Sequence, residues 1–194
     1  MAAFDAIVEA DHQLFFYLNS LHQPLMDELM FLISNRYFWI PLYAWILYLM
    51  FKKYGSSTWL ILLCAVGLIL FSDQTTNVFK AMVQRYRPTH NPSFGALVHT
   101  VNNYKGGTYG FFSGHAANAF ALTMFSLSLL KPTTKYLYFI LITYACLTSY
   151  SRIYLGVHYP IDIIVGAFSG LGLGFLFKNF TKVLLEKWNI QNQL

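Results

Sequence analysis

Apolar residues recur along this chain in two different ways. Between Phe4 and Leu21 the residues Phe4, Ile7, Val8, Leu14, Phe15, Leu18 and Leu21 return at roughly helical spacing, opposite Asp5, Glu9, Gln13 and Asn19. That pattern predicts an amphipathic helix lying in a membrane interface. Beyond it the pattern changes to long apolar runs, at about 29–51, 57–79, 112–130, 136–155 and 161–181. A helix needs about 20 mostly apolar residues to cross about 30 Å of hydrocarbon, so each run predicts one crossing. Asn35, Arg36 and Pro41 interrupt the first of them. The expected fold is therefore all-α: an integral membrane bundle of five or six transmembrane helices in one domain, residues 1–194, preceded by an interfacial helix.

Composition agrees with this reading. The 194 residues are 56% hydrophobic and 19% aromatic, with only 11% charged. Such values belong to membrane proteins. The two cysteines, Cys64 and Cys146, sit inside apolar runs without a CxxC arrangement, so neither a disulfide framework nor a zinc site is expected. Asp5, Glu9 and Asp11 occupy the region where a removable signal peptide would carry basic charge, so none is expected.

Charge then orients the bundle. With five crossings, Lys52 and Lys53, Lys131 and Lys135, and Lys178, Lys182 and Lys187 all fall on one side, which the positive-inside tendency assigns to the cytoplasm. The opposite side receives the segment from about 80 to 112 and the turn from Arg152 to His158. The expected location is a bacterial cytoplasmic membrane with this second side facing outward. Gly166, Gly170 and Gly174 form a repeated GxxxG pattern in the last run, read as close helix packing.

Three polar stretches fall on that outer side: KAMVQRYRP (Lys80–Pro88), FSGH (Phe112–His115) and SRIYLGVHYPID (Ser151–Asp162). Lys80 and Arg87 lie two helical turns apart, and Pro88 predicts that the helix breaks near Arg87. Ser113 suits a helix N-cap, and an N-terminus there, at Gly114, offers free N–H groups to an anion. His158 and Asp162 are four apart around Pro160, so the carboxylate can hold one ring nitrogen and leave the other free. These groups suit a phosphate: Arg87 and Arg152 fork onto its oxygens, Lys80 adds a point charge, and Ser113 and Gly114 add neutral donors. His158 is then positioned as a nucleophile and His115 as a general acid.

Other readings of the same residues remain open. Lys80 and Arg87 alone suit cations snorkelling to headgroups, His115 suits a packing histidine, and His158 with Asp162 suits a metal-ligand pair. The metal reading is weakened by the three cations that would share its pocket. Asp73, seven residues before Lys80, is either functional or a structural group meeting an ion-pair partner, Gln74, Thr76 or Asn77. His90, His99, Asn102 and Lys105 occupy the outer loop, where solvation explains them as well as a substrate does.

The order K-x6-RP, then SGH, then SR-x5-H-x3-D resembles the three-part signature of the type 2 phosphatidic acid phosphatase family, related to glucose-6-phosphatases and vanadium haloperoxidases. The resemblance spans Lys80 to Asp162, and Phe112 departs from it where the family usually carries proline. It implies phosphate binding by Lys80, Arg87, Ser113, Gly114 and Arg152. It further implies acid catalysis by His115, attack by His158 and orientation of His158 by Asp162, through a phosphohistidine and without a metal ion or other cofactor. The expected function is hydrolysis of a membrane lipid phosphate or pyrophosphate: undecaprenyl pyrophosphate, phosphatidylglycerol phosphate, phosphatidic acid or a lipid A phosphate. The expected partners are that lipid and the bilayer, with no nucleic acid. A lipid phosphotransferase using the same pocket, and a small non-enzymatic membrane transporter, are the alternatives.

Overall fold

The computed structural model describes residues 2–131 and 135–191. The described residues fold as seven α-helices: α1 (Ala2–Ser20), α2 (Pro24–Ser34), α3 (Ile40–Tyr54), α4 (Thr58–Val83), α5 (Gly114–Leu130), α6 (Lys135–Tyr154) and α7 (Pro160–Gln191). The last four agree with the apolar runs to within a few residues, except that α7 continues ten residues past the expected end. Leu185 is buried in that extension, so packing carries the helix beyond its apolar core.

The expected run at 29–51 is broken. α2 ends at Ser34, a single tight turn covers Arg36–Trp39, and α3 begins at Ile40. The cause is local: Asn35 is extended and its side chain accepts the Tyr37 N–H, while Pro41 suits only the first turn of a new helix. The break delivers Ser34, Arg36 and Trp39 to the interior cavity described below. At the other end of α3 the chain reverses through Gly55, whose φ of 56° lies in the left-handed region that favours glycine.

Two helical stretches are long and apolar enough to cross a membrane: residues 36–83, folded back at Gly55, with mean hydropathy 1.9, and residues 160–188, with mean hydropathy 1.8. α5 is apolar but shorter, at 17 residues.

The helices run alternately between two ends of a bundle. At one end Lys53 Nζ donates to the carbonyls of Leu129 (2.8 Å) and Leu130 (2.6 Å), and Met50, Ile61, Leu137 and Leu185 join one core cluster. The end of α4 and the starts of α5 and α7 meet at the opposite end. α5 and α7 make the most extensive helix pair. The GxxxG pattern makes this possible: a Cβ on Gly166 would stand 2.6 Å from the Ser113 carbonyl oxygen, and one on Gly174 would stand 2.5 Å from that of Ala121. Backbone therefore meets backbone along the whole pair, as the spacing predicted.

α1 lies across the second end. Its buried stripe is Asp11, Phe15 and Asn19, while Ile7, Leu14, Tyr17 and Leu21 are exposed. Asn19, placed by spacing on the polar face, is instead buried. Its Nδ2 donates to the carbonyls of His99, Ile153 and Tyr154, and its Oδ1 accepts the His99 N–H. Backbone groups at the end of α6 need these partners, and that need outweighs the side chain's polarity.

Candidate active site

α4 carries Lys80 to the second end of the bundle and stops three residues later. Gln84 adopts a left-handed conformation, and the chain leaves extended through Arg85, Tyr86 and Arg87. This strip pairs with Thr108–Gly110: the Arg87 N–H donates to the Thr108 carbonyl (3.0 Å) and the Gly110 N–H to the Arg85 carbonyl (2.9 Å). Arg87 thus points inward from a braced strip and not from the helix, as the Pro88 position predicts.

The SGH stretch opens α5 as expected. The Ser113 hydroxyl accepts the Ala116 N–H at 3.4 Å, and Gly114 is the first helical residue. Phe112 follows a cis peptide bond. In the third stretch α6 ends at Tyr154, Gly156 turns the chain with φ of +74°, and α7 starts at Pro160. A side chain at Gly156 would also strike the His99 carbonyl, at 2.7 Å. This turn holds His158 in a fully buried loop.

Together these elements enclose a cavity of about 460 Å³ whose walls include Lys80, Arg87, Gly114, His115, Arg152 and His158. Six of the eight residues expected in the site therefore share one wall. The other two stand behind it. Asp162 is wholly buried against His158, and Ser113 is wholly buried at the base of α5.

Hydrogen bonds fix the state of His158. Arg87 Nη1 lies 3.3 Å from its Nε2, and Asp162 Oδ2 lies 3.3 Å from its Nδ1. Arginine has no acceptor, so Nε2 must be the accepting nitrogen and Nδ1 must carry the proton. Nε2 therefore presents a lone pair toward the cavity wall that holds the cations. Burial, reinforced by the charges of Arg87, Arg152 and Lys80, holds this imidazole well below its ordinary pKa. A neutral ring backed by a carboxylate can act as a nucleophile, and three cations beside it can bind an oxyanion. A cation would meet repulsion here, since both ring nitrogens are already engaged and one of them by a guanidinium.

Arg152 is held from outside its own helix. Its Nη1 donates to Ser34 Oγ and its Nη2 to Tyr104 OH (3.0 Å). Tyr104 is the contribution of the loop at 89–109 to the cavity; His90, His99, Asn102 and Lys105 are not on its wall. His99 instead pairs with Asp27 at 3.0 Å. Asp73 does line the cavity, and its side-chain partner is Asn118, whose Nδ2 donates to Oδ1 at 2.8 Å. Thr76 reaches only the Asp73 backbone carbonyl.

Two residues that sequence spacing overlooked stand directly behind the pair. Arg85 donates to Asp162 Oδ1 at 2.8 Å and to Asp11 Oδ2 at 2.6 Å. Arg85 lies within the first polar stretch, two residues before Arg87, and that proximity was the available signal. Nothing local distinguishes Asp11, because its partners lie in distant segments.

Comparison with known proteins agrees with this geometry. The chain is 39% identical over 173 residues to a lipid A 4'-phosphatase of Bacteroides thetaiotaomicron, covering 87% of this chain and 76% of that one. It is 30% identical over 169 residues to an undecaprenyl-diphosphatase of Sulfolobus acidocaldarius, covering 84% and 75%. Its fold matches the crystal structure of a PAP2-type phosphatidylglycerolphosphate phosphatase from Bacillus subtilis, with a TM-score of 0.70 and 30% identity over 91% of this chain and 87% of that one. The family model described as the PAP2 superfamily matches residues 57–185, which include Lys80, Arg87, His115, Arg152 and His158; with these relatives all phosphatases, the chain belongs to the PAP2 superfamily.

Proposed function

We propose that this protein hydrolyses phosphate or pyrophosphate esters of membrane lipids, with His158 as nucleophile and His115 as general acid. The observation that carries the reading is the hydrogen-bonding of His158, whose Nε2 accepts from Arg87 while Asp162 holds Nδ1. In the first step the bound phosphate draws the Arg87 guanidinium from Nε2 onto its own oxygens, the freed Nε2 lone pair attacks phosphorus in line, the P–O ester bond breaks, and protonated His115 gives its proton to the departing oxygen. In the second, water attacks the phosphohistidine, His115 takes a proton from it, and phosphate leaves. Lys80, Arg87 and Arg152, with the Gly114 N–H, neutralise the charge that develops on the equatorial oxygens. Ser113 contributes by capping α5 and so aiming the helix N-terminus at the same oxygens. No step calls for a metal ion.

A lipid substrate is supported by a second, apolar groove. It has a volume of about 340 Å³, runs between α3, α4 and α5, and shares Tyr43, Ile69, Leu122 and Tyr144 with the polar cavity. An amphiphile with its phosphate at His158 would continue into this groove. The whole chain then acts as one domain with five crossings: α2 with α3 as a broken one, followed by α4, α5, α6 and α7. The exposed Ile7, Leu14 and Tyr17 of α1, with Leu21 just beyond its end, suit an interfacial helix. The lysine-rich end is assigned to the cytoplasm and the cavity end to the outer face of a bacterial cytoplasmic membrane.

Purified protein assayed against lipid A, phosphatidylglycerol phosphate, phosphatidic acid and undecaprenyl pyrophosphate tests this reading. Release of inorganic phosphate from at least one lipid is expected. No release from any of them contradicts it, and transfer to a second lipid in place of free phosphate favours the phosphotransferase alternative.

A further inference from the structure

Behind the His158–Asp162 pair lies a closed ring of polar contacts, with both carboxylates buried and Arg85 partly so, that reaches into α1, outside the segment the family model matches. Asp162 Oδ2 receives the Tyr159 N–H (3.1 Å) and faces His158 Nδ1, while Oδ1 receives Arg85 Nη1. The other arm of the Arg85 fork binds Asp11 Oδ2, and Asp11 Oδ1 receives the Ile161 N–H at 2.9 Å. Ile161 is the chain neighbour of Asp162, so the ring closes. Asp11 is 4% exposed, and the Arg85 guanidinium also lies 4.1 Å over the Tyr159 ring.

A carboxylate buried at this cost is retained only where it is paired and hydrogen-bonded, and Asp11 is both. Its effect on the site follows from geometry. The terminal torsion of an aspartate is broad, so nothing intrinsic fixes the tilt of the Asp162 carboxylate plane against the His158 ring. The Tyr159 N–H anchors Oδ2, and the Arg85 fork removes the remaining freedom by holding Oδ1. Arg85 itself stays in place because Asp11 holds its second arm. Asp11 also shares the guanidinium charge, so Asp162 keeps more of its own for the imidazole that becomes positive as phosphorus is attacked.

We propose that Asp11 and Arg85 are positioning residues for the reaction: the N-terminal helix supplies a carboxylate that, through Arg85, locks Asp162 in the orientation that aligns His158. The inference rests on His158 being the nucleophile that Asp162 orients. It makes α1 part of the catalytic apparatus and not merely a membrane-surface element.

The test uses the full-length protein in detergent with a soluble aryl phosphate, measuring kcat, KM and the inhibition constant of inorganic phosphate. Asp11→Asn is expected to lower kcat about 10-fold or more, with KM and phosphate inhibition within about 2-fold of wild type, because the three cations that bind the anion are untouched. In an Arg85→Gln background the same substitution is expected to cost nothing further, since Asp11 acts through Arg85. If Asp11→Asn yields no folded protein, Arg85→Lys replaces the fork by a point charge and is expected to show the same loss of kcat with phosphate inhibition retained. A near-normal kcat in the folded variant overturns the proposal, as does a fall in kcat accompanied by an equal weakening of phosphate inhibition, which is the mark of a collapsed pocket. Asp162→Asn separates the two levels of inference. A crippled Asp162→Asn beside a normal Asp11→Asn removes only the positioning role of α1, whereas a normal Asp162→Asn removes the underlying reading of the histidine as well.

Discussion

Among single residues, two histidines with different surroundings bear the proposed chemistry. His158 is buried with both nitrogens engaged, whereas His115 stands open on the cavity wall at the first turn of α5. His115→Ala should therefore depress hydrolysis of a lipid alkyl phosphate by about 10²- to 10⁴-fold, the usual range for general acid catalysis. It should hurt p-nitrophenyl phosphate far less, because that phenolate leaves without a proton. Equal losses on both substrates would remove the acid role. The pH profile gives a second check. The nucleophile works as the neutral base, and its pKa is held below the ordinary histidine value of 6.5 by burial and by Arg87, Arg152 and Lys80. Lowering a base's pKa extends its active form toward acid, so the acid limb of kcat/KM should fall below pH 6.5. A limb at or above ordinary histidine values would contradict the state assigned to this ring. Most of these residues were legible in the sequence because each motif is short and its spacing constrains a helix end or a turn. Arg85 and Asp11 were not, because their significance is a contact made across 74 positions of the chain.

At the scale of elements, the α5–α7 pair sets the distance between the SGH turn and the His158 loop, and its glycines set that pair. Gly170 faces the Ala117 carbonyl so closely that any Cβ must displace backbone. Gly170→Ala should cost about 1–3 kcal/mol of stability and lower the melting temperature in detergent. Gly172→Ala, two residues away on the same helix with nothing within 4 Å of its Cβ, should leave the melting temperature unchanged or slightly raised. Equal effects would deny the close packing. Helix periodicity made α4 to α7 readable because long apolar runs have few other solutions in lipid. The break at 35–39 was less readable. Asn35, Arg36 and Pro41 signalled an interruption, but only the fold reveals that it carries Ser34 to Arg152.

At the scale of the whole molecule, the cationic cavity and the lysine-rich end lie at opposite ends of the bundle, with the apolar groove between α3, α4 and α5 leading away from the cavity. With the proposed orientation, a cysteine introduced at Asn103, in the loop at 89–109, should react with a membrane-impermeant thiol reagent in intact cells, and one at Ser56, beside the Gly55 reversal, should not. The opposite labelling pattern would invert the assigned orientation, which rests on the asymmetry of lysines. Turnover should also survive excess chelator, because in the proposed mechanism protein cations neutralise the phosphate. Complete loss restored by Mg²⁺ or Zn²⁺ would contradict that. The all-helical class was legible from hydropathy alone. The place of α1 was not, because its inward stripe is Asp11, Phe15 and Asn19, a mixture that amphipathic spacing assigns to two different faces.

The most direct test of the account is to quench the enzyme during turnover of a substrate labelled in its phosphoryl group and to locate any covalently bound label. A phosphohistidine that is labile to acid and stable to base, mapped to His158 and lost in His158→Ala, is the predicted result. A label that persists in His158→Ala, or that maps to His115, would contradict the assignment of the nucleophile.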